Sequence, residues 1–238
     1  LKLRFHTQTA GCSLTAQQPE LNIVRTAFEA MSAVLGGTQS LHTNSMDETL
    51  ALPSDKAALI ALRTQQVLAY ETGVVNTIDP LAGSYFIENL TNRMEQETLA
   101  YFDEIDERGG VLKCIEDGYM QKEIARAAYQ FQREIDKKDR IIVGVNEHIM
   151  EDQELEIEVL RIDESVAEDQ INRLNEVKAK RDNDRVKRCL EDLRKIAQTE
   201  TGNSMPAIIE AVKAYTTMGE ICDVFREVYG EYVETPQV

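Results

Sequence analysis

Two short segments hold most of the side chains that could do chemistry. The first is His6-Thr7-Gln8-Thr9-Ala10-Gly11-Cys12-Ser13, and the second runs from Gln39-Ser40-Leu41-His42 through Thr43-Asn44-Ser45-Met46-Asp47-Glu48. Neutral amides such as Gln8, Gln39 and Asn44 suit a polar ligand that must be oriented rather than ionised, and Glu48 adds a carboxylate acceptor. Glycine at 11 permits close approach of the backbone to a flat ligand. Each residue also has a plainer use. A glutamine at a strand end can cap backbone, and a histidine in a strand can be a hydrogen-bonded structural residue. Ser45 to Glu48 spells an S-x-x-E capping box, which would spend Glu48 on helix amides.

Other chemistries lack their signatures. Cys12 lies in a polar loop, but no triad accompanies it. The sequence has no G-x-S-x-G elbow, phosphate loop or dinucleotide fingerprint. Gly36-Gly37 and Gly109-Gly110 read as helix ends. Cys12, Cys114, Cys189 and Cys222 are too scattered for a zinc pattern, and His6, His42 and His148 are too far apart for a local metal motif. No metal ligand set is therefore assigned.

The elements that must position these loops read as strand, loop, helix, repeated. Leu3 to Gln8 is a predicted strand, followed by a helix over 20–35 whose apolar positions Ile23, Ala27, Ala30, Met31 and Val34 recur at helical spacing. Thr38 to Thr43 is a second strand, Asn44 to Leu52 a loop, and a helix from Pro53 to about Glu71 follows. Helical crossovers between strands predict a parallel pairing in an α/β fold, either a barrel or an open sheet. Both polar loops then follow strands, where such folds place their sites. Helices are predicted over 85–108, up to Asp117, and over 121–136, with a strand from Arg140 to Val145 on the Ile141-Ile142-Val143 run.

Composition shifts after Asn146. Residues 147–158 read as an acidic loop, Val159 to Ile162 as an edge strand, and 165–180, 182–199, 206–216 and 217–229 as helices. Their alternating charges fit exposed helical faces. The expected domains are thus 1–146 and 147–238. The alternating Leu1-Lys2-Leu3-Arg4-Phe5 opening looks like a strand under way, so the chain is expected to begin inside a domain.

A net charge of −16 argues against nucleic-acid binding. No apolar run approaches the roughly 20 residues of a bilayer span, and Leu1 to Arg4 is not a basic region leading an apolar one. Scattered cysteines without a secretion signal predict reduced thiols and a cytoplasmic location.

Several runs resemble one family. They are Gln8-Thr9-Ala10-Gly11-Cys12-Ser13-Leu14-Thr15-Ala16-Gln17, Gly36-Gly37-Thr38-Gln39-Ser40-Leu41-His42-Thr43-Asn44, and Asp47-Glu48-Thr49-Leu50-Ala51-Leu52-Pro53. Asp79-Pro80, Gly83-Ser84-Tyr85, Ile142-Val143-Gly144-Val145-Asn146, Thr217-Met218-Gly219-Glu220-Ile221 and Val228-Tyr229-Gly230 extend the likeness. Together they resemble the large (alpha) subunit of the methylmalonyl-CoA mutases, within the adenosylcobalamin-dependent acyl-CoA mutases.

The resemblance implies the C-terminal part of a TIM (β/α)8 barrel over 1–146, followed by a helical extension. It implies radical carbon-skeleton isomerisation of methylmalonyl-CoA and succinyl-CoA, with isobutyryl-, ethylmalonyl- or 2-hydroxyisobutyryl-CoA as alternatives. It places His6, Gln8 and Gly11 beneath the corrin of adenosylcobalamin, and Asn44 and Glu48 near its ribose. Ala51 would also touch the cofactor, and Gln39 the substrate. The family's acyl-pocket residues lie upstream, so no catalytic residue is assigned. A D-x-H-x-x-G cobalt-ligand motif does not occur in the chain, so the ligand is expected from a cobalamin-binding subunit or domain.

The other expected partners are acyl-CoA, the N-terminal remainder of the barrel, and further subunits of an oligomer. The chain alone is expected to be inactive. Cys12 stands where many relatives have Trp, Ala10 where they have Ser, and Ala82 where Gly is common. These departures fit the branch with separately encoded cobalamin subunits. A non-catalytic assembly protein is the rival reading.

Overall fold

The short β1 (His6–Gln8) lies parallel to β2 (Ser40–His42), with His6 opposite Ser40 and Gln8 opposite His42. In the computed structural model, which describes residues 3–150, 157–199 and 201–233, these two strands form the sheet. A parallel pair needs a crossover, and α1 (Leu21–Leu35) supplies it. Its fully buried stripe is Asn22, Thr26 and Ala30, displaced one position from much of the apolar face read in the sequence. The reason is polar: Asn22 serves backbone groups of both loops, so burial follows hydrogen bonding there.

Next comes α2 (Asp55–Tyr70), where the Ser54 hydroxyl accepts from the Ala57 amide at 3.3 Å. The capping box expected at Ser45 is not formed. Helix α2 begins ten residues later than Ser45, and the Ser45 hydroxyl makes no hydrogen bond among the described residues. Then follow α3 (Tyr85–Glu107), α4 (Val111–Glu116) and α5 (Tyr119–Asp136).

The strand expected from Arg140 to Val145 is absent. The segment turns instead, with a lone parallel bridge between Val143 and Glu147. Gly144 has a φ of +82°, a left-handed bend that breaks extension. The Asn146 amide captures the backbone that a ladder would use: it accepts from Ile142 N and donates to the Ile135 and Arg140 carbonyls. Val159 to Ile162 also has no regular structure. The described residues are therefore α/β, mostly helical with a small parallel sheet, and do not form a barrel.

The chain divides after Arg161 into two compact units, and the described residues between 147 and 161 fall with the first. The second contains α6 (Glu164–Lys180), α7 (Asn183–Ala197), α8 (Met205–Lys213) and α9 (Met218–Tyr229). Leu193, Ala211, Ile221 and Val224 form its core. Thr217 and Glu220 close a capping box at the start of α9. The same Glu220 accepts two bonds from Arg181, at 2.8 and 2.5 Å. Part of the acidic loop predicted over 147–158 lies outside the described residues. No described helix is long and apolar enough to cross a membrane.

Candidate functional site

The two polar loops meet where β1 and β2 end. The strand ladder is prolonged by one step, as Thr9 N donates to the His42 carbonyl at 3.1 Å. The buried Thr9 hydroxyl then accepts from Asn44 N at 2.9 Å. With the backbones joined, Gln8 Nε2 donates to Asn44 Oδ1 at 3.0 Å.

Gly11 sits against the second loop. A Cβ added there would lie 2.5 Å from Glu48 Oε1 and 3.2 Å from Asn44 Nδ2. Only glycine lets the first loop pass this close without displacing a side chain. Gln8, Gly11, Asn44 and Glu48 are thus brought together. Asn44 is 2 % exposed, and its Nδ2 has no hydrogen-bond partner among the described residues. A buried donor without an acceptor is costly and is what a ligand atom could satisfy. Glu48 is exposed and its carboxylate takes part in no hydrogen bond or ion pair among the described residues. The capping role left open for it is therefore not the one it plays.

His6 and Gln39 lie at the other end of the strand pair. His6 opens β1, and its Nδ1 is 2.6 Å from Ser40 Oγ. It shares a strand face with Gln8 by the alternation of side chains. Gln39 precedes β2, and its amide is bound to backbone at both ends. Its Oε1 accepts from Phe5 N, and its Nε2 donates to the Gly37 carbonyl, both at 2.8 Å. The geometry does not gather Gln39 with Glu48. Half-buried Ala51 follows Glu48 in the second loop, and its amide donates to the Asp47 carbonyl at 3.1 Å.

Residues passed over in the sequence hold both loops in place. The fully buried Asn22 side chain accepts from Thr15 N and donates to the carbonyls of Thr15 and Met46. One amide thereby ties the first loop to the second. Arg25 donates to Thr15 Oγ1, to Asn22 Oδ1 and, at 2.7 Å, to the Val143 carbonyl. Gln18 Nε2 reaches the His148 carbonyl at 3.1 Å. Glu29 accepts from Ala10 N at 2.7 Å and from the Ser13 hydroxyl. Asp47, fully buried, accepts from Ser54 N at 2.9 Å and so joins the second loop to α2. The signal for the α1 group was polar spacing: positions 22, 25, 26 and 29 repeat on one helical face, beside the apolar one.

Among the described residues no group of three or more His, Cys, Asp or Glu is placed to hold a metal ion. The site instead offers a polar ligand a buried donor without an acceptor, Asn44 Nδ2, and an exposed carboxylate, Glu48. The buried Asn44 donor and the exposed Glu48 acceptor fit polar groups of the cofactor that the resemblance implies, whereas the place of a Cβ on Gly11 is already filled by the second loop.

The family model for methylmalonyl-CoA mutase matches residues 1–231. The methylmalonyl-CoA mutase of Rhizobium meliloti (strain 1021) is 46% identical over 239 residues, which is 100% of this chain and 33% of that protein. The 2-hydroxyisobutanoyl-CoA mutase large subunit of Aquincola tertiaricarbonis is 44% identical, over 99% of this chain and 42% of that subunit. The mitochondrial methylmalonyl-CoA mutase of Homo sapiens is 45% identical, over 98% of this chain and 31% of that protein. The chain thus spans between 31% and 42% of the length of these relatives. With the family match running through both units and the polar loops joined at the strand ends, the chain belongs to the methylmalonyl-CoA mutase family.

Proposed function

We propose that this chain supplies one wall of the cofactor and substrate site of an adenosylcobalamin-dependent acyl-CoA mutase. The observation that carries the proposal is the packing of Gly11 against Glu48 and Asn44. In this reading Gln8 and Gly11, with His6 on the same strand face, lie under the corrin. Asn44 donates to the ribose side, Glu48 accepts from ribose hydroxyls, and Ala51 borders the cofactor. Gln39 contacts substrate once its backbone bonds are exchanged. The bound cofactor supplies a homolytically cleavable cobalt–carbon bond. The chain's own residues orient it and exclude water.

Residues 1–146 are read as the closing strands and helices of the mutase barrel, and 147–238 as a connector and helical extension. The rest of the barrel and a cobalamin-binding domain or subunit complete the site in a cytoplasmic oligomer. Turnover belongs to that assembly, because a two-stranded sheet cannot enclose an acyl-CoA. Methylmalonyl-CoA and succinyl-CoA are the first substrates to test. 2-Hydroxyisobutyryl-CoA is the second, on the 44% identity to a large subunit named for that reaction.

The test is a pair of titrations on the complete protein. Glu48→Ala should weaken adenosylcobalamin binding more than acyl-CoA binding. Equal losses for the two ligands would reject the role given to Glu48. An assembly protein would bind its partner subunit and show no adenosylcobalamin-dependent turnover.

A further inference from the structure

The turn carrying Gly11 has a carboxylate on either side of it, and the two are used differently. Glu29 takes two donors from the turn: the Ala10 amide at 2.7 Å and the Ser13 hydroxyl. Glu48, whose Oε1 is 2.5 Å from the Cβ position of Gly11, takes none. The turn itself is a single 3-10 turn, Gly11–Ser13, with its own closing bond from Leu14 N to the Gly11 carbonyl. Such a short element does not fix its own orientation. Glu29 lies in the middle of α1, which is anchored to both loops through Asn22.

We infer that Glu29 is a positioning residue for the corrin-facing turn. It satisfies the donors of Ala10 and Ser13 from the α1 side, which keeps Gly11 pressed toward the second loop and leaves the Glu48 carboxylate uncommitted. Removing Glu29 frees the Ala10 amide close to a second acceptor, while the Ser13 hydroxyl keeps only the Ala10 carbonyl, 2.7 Å away. The turn then rotates toward Glu48, and the acceptor that the ligand needs is taken up internally. A charged acceptor bonding two donors is worth enough to set this orientation.

The inference rests on the reading that Glu48 and Gly11 face adenosylcobalamin. It is tested on the complete protein with its cobalamin-binding domain or subunit. Adenosylcobalamin is titrated by its visible absorbance, acyl-CoA by calorimetry, and thermal stability is recorded alongside. Three variants are compared: Glu29→Ala, Glu29→Gln and Glu48→Gln.

Glu29→Ala is expected to weaken adenosylcobalamin binding about tenfold, the loss of a hydrogen bond to a charged group, with acyl-CoA affinity unchanged. Glu29→Gln retains an acceptor for Ala10 N and a group able to bond Ser13, and should recover most of the affinity. Equal loss of both ligands, or a Gln variant as weak as Ala, overturns the inference. If Glu29→Ala binds normally while Glu48→Gln is impaired, the positioning role fails and the site stands. If neither variant alters adenosylcobalamin binding, the site reading fails and this inference with it.

Discussion

Asn22 and Met46 are joined by a 2.9 Å hydrogen bond from the Asn22 amide to the Met46 carbonyl, buried beneath both polar loops. The same side chain holds Thr15 by its amide and its carbonyl. Asn22→Ala would leave one buried and two half-buried backbone groups without partners. The expected cost is about 3 kcal/mol, the range for emptying a buried polar network. Denaturant unfolding of the two proteins side by side measures it. A change under about 0.5 kcal/mol, the size of an ordinary surface substitution, would show that the loops are held by something else.

Gly11→Ala should separate folding from binding. The atom nearest the new methyl is the terminal oxygen of Glu48, an exposed and flexible side chain. It can swing away cheaply, whereas the Asn44 amide at 3.2 Å is buried and must give slightly. Stability should fall by about 1 kcal/mol or less, in the lower range for overpacking. Adenosylcobalamin affinity should fall much further, because the displaced carboxylate is the proposed ribose acceptor. Binding titrations and thermal melts on one preparation check both halves.

The Arg181–Glu220 pair contributes to the acid sensitivity of the second unit. Two bonds from the Arg181 guanidinium, with the Thr217 amide and hydroxyl, hold the Glu220 carboxyl down at about 2. A carboxyl held below its unfolded value of 4.5 contributes stability that is complete above that value. The contribution is lost as pH falls from about 4.5 toward about 2. Arg181→Ala should therefore destabilise the protein by about 2 kcal/mol at neutral pH and by much less near pH 2. Lysine should not substitute fully, since it lacks the planar two-pronged donor. Unfolding midpoints at the two pH values decide the matter. A variant equally destabilised at both would assign the effect to packing of Arg181.

The helices were legible because periodicity and caps agree. Thr217 with Glu220, and Ser54 before α2, mark helix starts that are present. The strands were legible as places but not as lengths. Leu3 to Phe5 alternate like a strand, yet pairing begins at His6, because β2 offers partners only from Ser40. At Ile141-Ile142-Val143 the β-branched run gave a strand signal, and what decides the outcome is a neighbouring amide. Asn146 takes backbone groups from three residues, and local propensity does not register such capture.

In the site, residue types pointed to the loops but not to their fastening. Gln8, Gly11, Asn44 and Glu48 stood out because each is chemically conspicuous. Asn22 and Glu29 did not, since on a helix such residues usually face water. Gln39 was grouped with Glu48 by sequence proximity. The parallel register puts the two at opposite ends of a strand.

Arg25 reaches the Val143 carbonyl across 118 positions of sequence, and Gln18 reaches that of His148 across 130. The bend around Gly144 is thus a buttress for segments that lie near the beginning of the chain. A replacement that straightens the bend should therefore loosen segments more than a hundred positions away, though no atom of the bend lies in either polar loop.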